Sequence, residues 1–278
     1  MTDFITTPAP AKINLFLRVT GTRTDGYHNI VTLFQKIALF DIITLEKTNG
    51  GIELTCLQNT VPADGRNIVY KAARLFEEST GIPLGVKITI DKKIPVAAGL
   101  GGGSSDAASL LKSLQEMYEH PCDEDALLCM AAKVGADVPF FVSAYSTAIG
   151  RGKGEELEPV QIPLIWVVIV NPGFPVSTKW VYDNLKLTTV ENAFNFSPHD
   201  TAVVEQLLHN DLETVSIPEY PVINRIKMRL VSCGAKGALM TGSGPTVFSV
   251  FEEESKARKV YEELQPESTW SVYLARSL

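Results

Sequence analysis

Residues 94–111 place Pro95, Val96, Ala97, Ala98, Gly99, Leu100, Gly101, Gly102 and Gly103 ahead of Ser104, Ser105 and Asp106, and then an Ala/Leu-rich run. Four glycines in five residues leave a backbone with almost no Cβ atoms, able to take φ > 0 and to approach a ligand closely. The serines and the aspartate fall where a helix begins. Unpaired N–H groups and the positive end of a helix dipole then make an anion site, whose natural occupant is a phosphate chain. The hydroxyls could add donors or ligate a metal bound to those phosphates. A Walker A loop would end in Gly-Lys-Ser/Thr, and no Lys follows Gly103; a dinucleotide fingerprint fails because the sixth position from Gly99 is Ser104. For this cluster taken alone, a flexible loop with Ser105 and Asp106 as plain N-caps explains the residues equally well. Two more glycine loops favour the phosphate reading: Gly242-Ser243-Gly244, and residues 150–154 with Arg151 and Lys153.

The elements that must hold these loops follow from periodicity. Alternation at Ile13, Leu15, Leu17 and Val19 predicts a strand with one face buried, and Asp25-Gly26 a turn. Strand-like runs cover residues 31–40, 42–45, 52–54 and 86–90. Asn67 caps a helix that carries Val69, Ala72, Ala73, Leu75 and Phe76 and ends at Gly81. A second helix is expected over 123–133, a buried strand or extended segment over 138–142, and a mobile basic loop over 150–155. The later part predicts a strand over 165–170, helices near 178–185, 200–209, 221–232 and 253–264, and strands over 238–241, 246–251 and 271–274. The pattern is α+β. Punctuation by Pro and Gly puts a domain boundary near residue 158, dividing 1–158 from 159–278.

Composition sets the limits. The 278 residues are 45% hydrophobic and 21% charged, with 25 Lys+Arg against 32 Asp+Glu, hence a net charge of −7. Disorder is excluded, and a nucleic-acid binder is not indicated, since that needs clustered cations. The apolar run at 164–170 is far short of the roughly 20 residues that cross a bilayer. The first residues lack the pattern of a signal peptide, so a cytoplasmic protein is expected. Cys56, Cys122, Cys129 and Cys233 are too scattered for a disulfide framework and are read as reduced core thiols; the sequon at Asn195 is then chance. His120 and His209 are read as structural, without a partner cluster.

Three segments are similar, in order and spacing, to the motifs of the GHMP small-molecule kinases. They are Pro10-Ala11-Lys12-Ile13-Asn14-Leu15, residues 94–108, and Ala238-Leu239-Met240-Thr241-Gly242-Ser243-Gly244-Pro245. Residues 21–28, with Asp25-Gly26-Tyr27-His28, and Gly135-Ala136-Asp137-Val138-Pro139 resemble the members that act on a cytidine-diphospho-methylerythritol in non-mevalonate isoprenoid synthesis. The resemblance implies the two-domain GHMP fold, with a ribosomal-protein-S5-domain-2-like N-terminal domain and a ferredoxin-like C-terminal one. It implies ATP-dependent phosphorylation of the 2-hydroxyl of the methylerythritol unit, with Mg²⁺ bound through the ATP phosphates rather than in a protein cage. Lys12 and Asp137 match the catalytic pair: a carboxylate that takes the hydroxyl proton, and an ammonium that neutralises charge on the γ-phosphate. Residues 95–106 and Asn67 are assigned to ATP. Asn14, Tyr27, His28, Tyr182, Gly242 and Ser243 are assigned to the cytidyl substrate, with Tyr182 as a second aromatic beside the base and Trp180 a weaker candidate. Neither Arg151 nor Lys153 receives a role. Thr241 stands where a serine is more common, and Ser143–Ser146 where relatives carry glycines.

The resemblance also admits a kinase of mevalonate, homoserine or a sugar, although a substrate without a base has no use for Tyr27-His28. A non-catalytic nucleotide-binding module is the third reading, and it would have no need of Lys12 and Asp137. The partners expected are the two small-molecule substrates, with the protein a monomer or weak homodimer.

Overall fold

Alternating and continuous runs of β-branched and aliphatic residues form two unusually long strands at the start of the chain, β1 (Phe4–Thr22) and β2 (His28–Lys47), joined by the turn at Asp25-Gly26. A computed structural model describes residues 3–187, 204–266 and 269–278. The chain divides into two units: residues 1–11, 39–96 and 101–145 form the first, and residues 12–38, 97–100 and 146–278 the second.

In the first unit the later half of β2 pairs antiparallel with β4 (Gly85–Asp91), which pairs parallel with β3 (Gly51–Cys56). Among the described residues its helices are α1 (Ile68–Thr80), α2 (Gly102–Met117), α3 (Glu124–Val134) and α4 (Val138–Val142). Helix α1 behaves as expected. Asn67 Oδ1 accepts from Val69 N at 2.9 Å, Val69, Ala72, Ala73 and Phe76 are buried, and Gly81 closes the helix at φ +71. Residues 138–142 do not form a strand. Five apolar residues in a row do not distinguish a buried strand from a buried helical turn. Pro139 decides the matter, because its preset φ and missing N–H suit a first helical turn, and Ser143 N donates to Pro139 O at 2.9 Å.

In the second unit β1 pairs parallel with β8 (His209–Asn210), and the early half of β2 pairs with β5 (Thr147–Arg151), which pairs with β6 (Glu156–Pro159). A separate antiparallel sheet has the order β11 (Ser271–Arg276), β7 (Trp166–Asn171), β10 (Val247–Phe251), β9 (Ala238–Met240). Among the described residues the helices here are α5 (Thr178–Asp183), α6 (Val204–Leu207), α7 (Glu213–Glu219), α8 (Val222–Ser232) and α9 (Glu254–Leu264). Val168 and Val170 of the sheet share a core with Ile223 and Ile226 of α8 and Val260 and Leu264 of α9.

Several expectations are corrected. The segment 13–17 is buried on both faces, Asn14 and Phe16 included, because neighbours cover both sides, and Arg18 is half-buried. The expected mobile loop at 150–155 is a β-hairpin: Gly150 lies in β5, where a Cβ would come within 2.6 Å of Phe34, and Gly154 N donates to Arg151 O. His209 lies in β8, not in a helix, and it has a partner, since Nε2 is 2.6 Å from Asp211 Oδ1. Residues 200–203 of that expected helix, and the sequon at Asn195, lie outside the described residues. The four cysteines are free, but Cys56 alone is buried and Cys129 is exposed. Among the described residues no helix is long and apolar enough to cross a membrane.

Replacing Asn67 by Ala removes the α1 cap and is expected to lower stability by about 1 kcal/mol. Asn67→Asp, which retains an acceptor for Val69 N, should lose less. Urea unfolding of the three proteins measures both differences.

Candidate active site

The site grows from β1, where polar side chains interrupt an apolar strand. Lys12 and Asn14 are both buried, and side chains two apart on a strand share a face. Lys12 Nζ donates to Asn14 Oδ1 at 2.7 Å and to the carbonyl of Gly99 at 3.1 Å, and stands 5.6 Å from the centroid of the Phe34 ring. Asn14 Nδ2 donates to Thr32 Oγ1 at 2.8 Å, and that hydroxyl donates to Phe16 O. The ammonium is therefore oriented by fixed acceptors at its strand neighbour and on the glycine loop. Burying an ammonium is costly unless it is hydrogen bonded, and these acceptors meet that need.

The glycine loop is held by an equally close approach. Gly99 has φ +78, and a Cβ there would meet Thr241 O at 2.1 Å, so no residue with a side chain fits. Gly101 (φ +71) and Ala97 (φ +52) also take the left-handed region, which Ala adopts at a cost of about 1 kcal/mol. Lys12 N donates to Leu100 O at 2.9 Å, tying β1 to the loop. Thr241 Oγ1 accepts from Asn14 N at 3.1 Å and donates toward Gly99 O, at 3.2 Å, or Asn14 Oδ1, at 3.3 Å. The hydroxyl that stands in for serine thus joins all three motifs.

Gly242 (φ +55) continues this contact, its Cβ position lying 3.2 Å from Gly99 O. Asn210 Nδ2 anchors the turn by donating to Met240 O and Gly242 O, at 2.7 and 2.8 Å. Ser243 is buried, with its Oγ 2.9 Å from Thr178 Oγ1, and its carbonyl accepts from Ser216 Oγ. Asn210, Ser216, Thr32 and Thr178 were not singled out from the sequence. Isolated polar residues at buried positions were the only available signal.

Helix α2 begins at Gly102, with Gly101 as its N-cap and no side-chain cap. Ser105 and Asp106 accordingly lie inside the helix and are not caps. Ser105 Oγ is buried with no hydrogen-bond partner among the described residues. Asp106 is turned toward Lys92 Nζ, at 2.7 Å. Both polar groups of Asn67 are engaged, since Nδ2 donates to Pro62 O. Asp137 is half-buried at the N-cap position of α4, without a side-chain capping bond. Among the described residues no three His, Cys, Asp or Glu side chains cluster as metal ligands.

The aromatic residues divide. The His28 and Tyr182 rings face one another, with centroids 5.1 Å apart and planes inclined by 33°. Tyr27 is 56% exposed and carries Lys153 Nζ 5.0 Å from its ring centroid. Lys153 is thereby placed against the Tyr27 segment, and Ile30 N donates to Gly152 O at 2.8 Å. The Tyr27 N–H, supported by Arg23, holds the Asp25 carboxyl below its ordinary range and so stabilises the turn. Trp180 packs edge-on against Tyr220.

Comparison with known proteins matches this arrangement to a kinase family. Residues 67–145 match the GHMP kinases N-terminal domain, and residues 191–268 the GHMP kinases C-terminal domain. The chain is 45% identical to the 4-diphosphocytidyl-2-C-methyl-D-erythritol kinase of Syntrophotalea carbinolica, over 95% of this chain and 96% of that one. A crystal structure of 4-(cytidine 5'-diphospho)-2C-methyl-D-erythritol kinase matches with TM-score 0.81 at 34% identity, covering 98% of this chain and 99% of the other. Homoserine kinase from Cytophaga hutchinsonii has the same fold, with TM-score 0.77 at 19% identity over 100% and 95% of the two chains. The chain belongs to the GHMP kinases and, among them, to the family of the 4-diphosphocytidyl-2-C-methyl-D-erythritol kinases.

Proposed function

We propose that the chain transfers the γ-phosphoryl group of ATP to the 2-hydroxyl of 4-(cytidine 5'-diphospho)-2-C-methyl-D-erythritol, giving the 2-phosphate and ADP. The observation that carries this reading is the buried Lys12 ammonium seated on the Gly99 carbonyl of the glycine loop, in a chain 45% identical to a named kinase of that substrate. The mevalonate and homoserine readings have weaker support, because the solved kinases of those substrates are 14% and 19% identical and share the fold alone. The matched family models fall on either side of residue 158, in keeping with a division into domains 1–158 and 159–278, whereas the compact units interleave, residues 12–38 and 97–100 grouping with 146–278.

Phosphoryl transfer asks the protein for positioning and for charge stabilisation. The N–H groups of residues 96–103 and the start of α2 receive the ATP phosphates, with the loop held in shape by Gly99, Gly101 and Ala97. Lys12 neutralises charge that builds on the transferred group. Asp137 accepts the proton of the attacking hydroxyl. Asn14 orients substrate hydroxyls, and Gly242 and Ser243 bring backbone groups to the acceptor. His28 reads the cytosine edge while Tyr182 and Tyr27 offer ring faces. Mg²⁺ requires hard oxygen ligands beside the phosphates, and Ser104 and Ser105 have that chemistry, the Ser105 hydroxyl being buried without a partner among the described residues. When bound, the ion would offset phosphate charge. Free thiols suit the reducing cytoplasm, where we place the enzyme.

A coupled assay with ATP, Mg²⁺ and the cytidyl substrate, run beside mevalonate and homoserine, tests the reading; turnover of either alternative in preference would overturn it. Asp137→Asn should lower kcat by about 10²-fold or more with KM for ATP little changed. A normal kcat in that variant removes Asp137 from the chemistry. Tyr182→Ala should raise KM for the cytidyl substrate about fivefold or more, from lost stacking, and leave KM for ATP unchanged. Equal rises in both would assign Tyr182 to core packing.

A further inference from the structure

The glycine loop has few side chains with which to hold its own shape, and both of its ends meet one buried ion cluster in the first unit. Lys92, which follows β4, pairs its ammonium with Asp41 and with Asp106, at 2.7 Å from the latter. The three side chains are at most 5% exposed. Asp41 Oδ1 accepts from Lys93 N at 2.5 Å and from Ile94 N at 2.8 Å, so the same carboxylate fixes the entry to the loop. Gln58 Oε1 accepts from Lys92 N at 2.8 Å. At the exit, Asp106 belongs to the first turns of α2, and Gly102 is pressed so close that a Cβ there would lie 3.2 Å from Lys92 Nζ and 3.0 Å from Ile94 Cγ2.

Packing alone does not account for this arrangement. A buried ion cluster contributes little stability relative to apolar residues of the same volume, whereas a segment with four glycines has almost no intrinsic stiffness. The three groups hold one another: burial pushes the Asp106 carboxyl up to about 7 against the pull of Lys92, while desolvation opposes the Lys92 ammonium and the carboxylates of Asp106 and Asp41 outweigh it.

We propose that Asp41, Lys92 and Asp106 are positioning residues that clamp the two ends of the glycine loop, so that Lys92 governs nucleotide affinity through the backbone and touches no phosphate. This rests on the reading of the loop as the ATP site, and the experiment separates the two. Hydrogen exchange of the amides at 96–103 without nucleotide, and the KM values for ATP and the acceptor, are measured on the full chain and on Lys92→Met. The expected result is about tenfold faster exchange across the loop and about tenfold higher KM for ATP, a factor equal to about 1.4 kcal/mol. KM for the acceptor should stay within about twofold of the parent, and Lys92→Arg should restore most of the loss. Parent-like loop exchange, or equal rises in both KM values with protection lost evenly along the chain, overturns the clamp. Should Lys92→Met fail to fold, Asp41→Asn keeps an acceptor for Lys93 N and Ile94 N while removing the charge opposite Lys92. Faster loop exchange in that variant supports the proposal, and parent-like exchange overturns it. Loop exchange that responds to Lys92→Met but not to added ATP supports the clamp and removes the ATP reading.

Discussion

A carbonyl oxygen at Thr241 occupies the space that a side chain at Gly99 would need. This backbone contact determines much else in the second unit. It requires glycine at 99, brings the Thr241 hydroxyl within reach of Asn14, and leaves the Gly99 carbonyl facing Lys12. A substitution at any of these positions acts on the lysine, because the acceptors that orient its ammonium belong to the same small network. The apolar surroundings strengthen the effect, since each polar group removed from water must find its partner inside.

The same logic explains the distribution of polar residues around the turn at 242–244. Asn210 uses both ends of its amide, donating to two carbonyls of the 240–242 segment and accepting from Leu212 N. Ser216 and Thr178 engage Ser243 from other elements. A turn rich in glycine is held by side chains that approach it from outside, much as the ends of the loop at 95–101 are held by Asp41 and Lys92. Chain segments that present backbone N–H groups to a ligand cannot supply their own restraints, and buried polar residues elsewhere supply them.

Legibility followed the range of the interactions. The Asn67 cap, the Gly81 stop and the glycine run before α2 obey rules that span a few residues, and all are visible in the sequence. Residues 138–142 resemble a strand because a run of apolar residues carries no period, and Pro139 is the one local sign of the helical turn. The hairpin at 150–156 has the composition of a loop, and nothing local to Gly150 reports that it packs on Phe34. Lys92 is separated from Asp41 by 51 residues and from Asp106 by 14, and no periodicity reports such a cluster. The candidate catalytic residues were legible only through their resemblance to known motifs; Lys12 on a strand and Asp137 at a cap have ordinary local contexts.

The interleaving of the two units bears on how the chain is made. The first unit has all its residues once position 145 is available, but the second draws on residues 12–38, 97–100 and 146–278. Its sheet has β7 between β10 and β11, and Leu278 N donates to Lys36 O at 3.0 Å. Synthesis therefore delivers Asn14 well before Thr241, which lies 227 residues further on and whose hydroxyl accepts from the Asn14 backbone amide. Until Thr241 has been made, that amide lacks the hydroxyl it meets in the folded unit, so a truncated chain leaves the network beside the lysine incomplete.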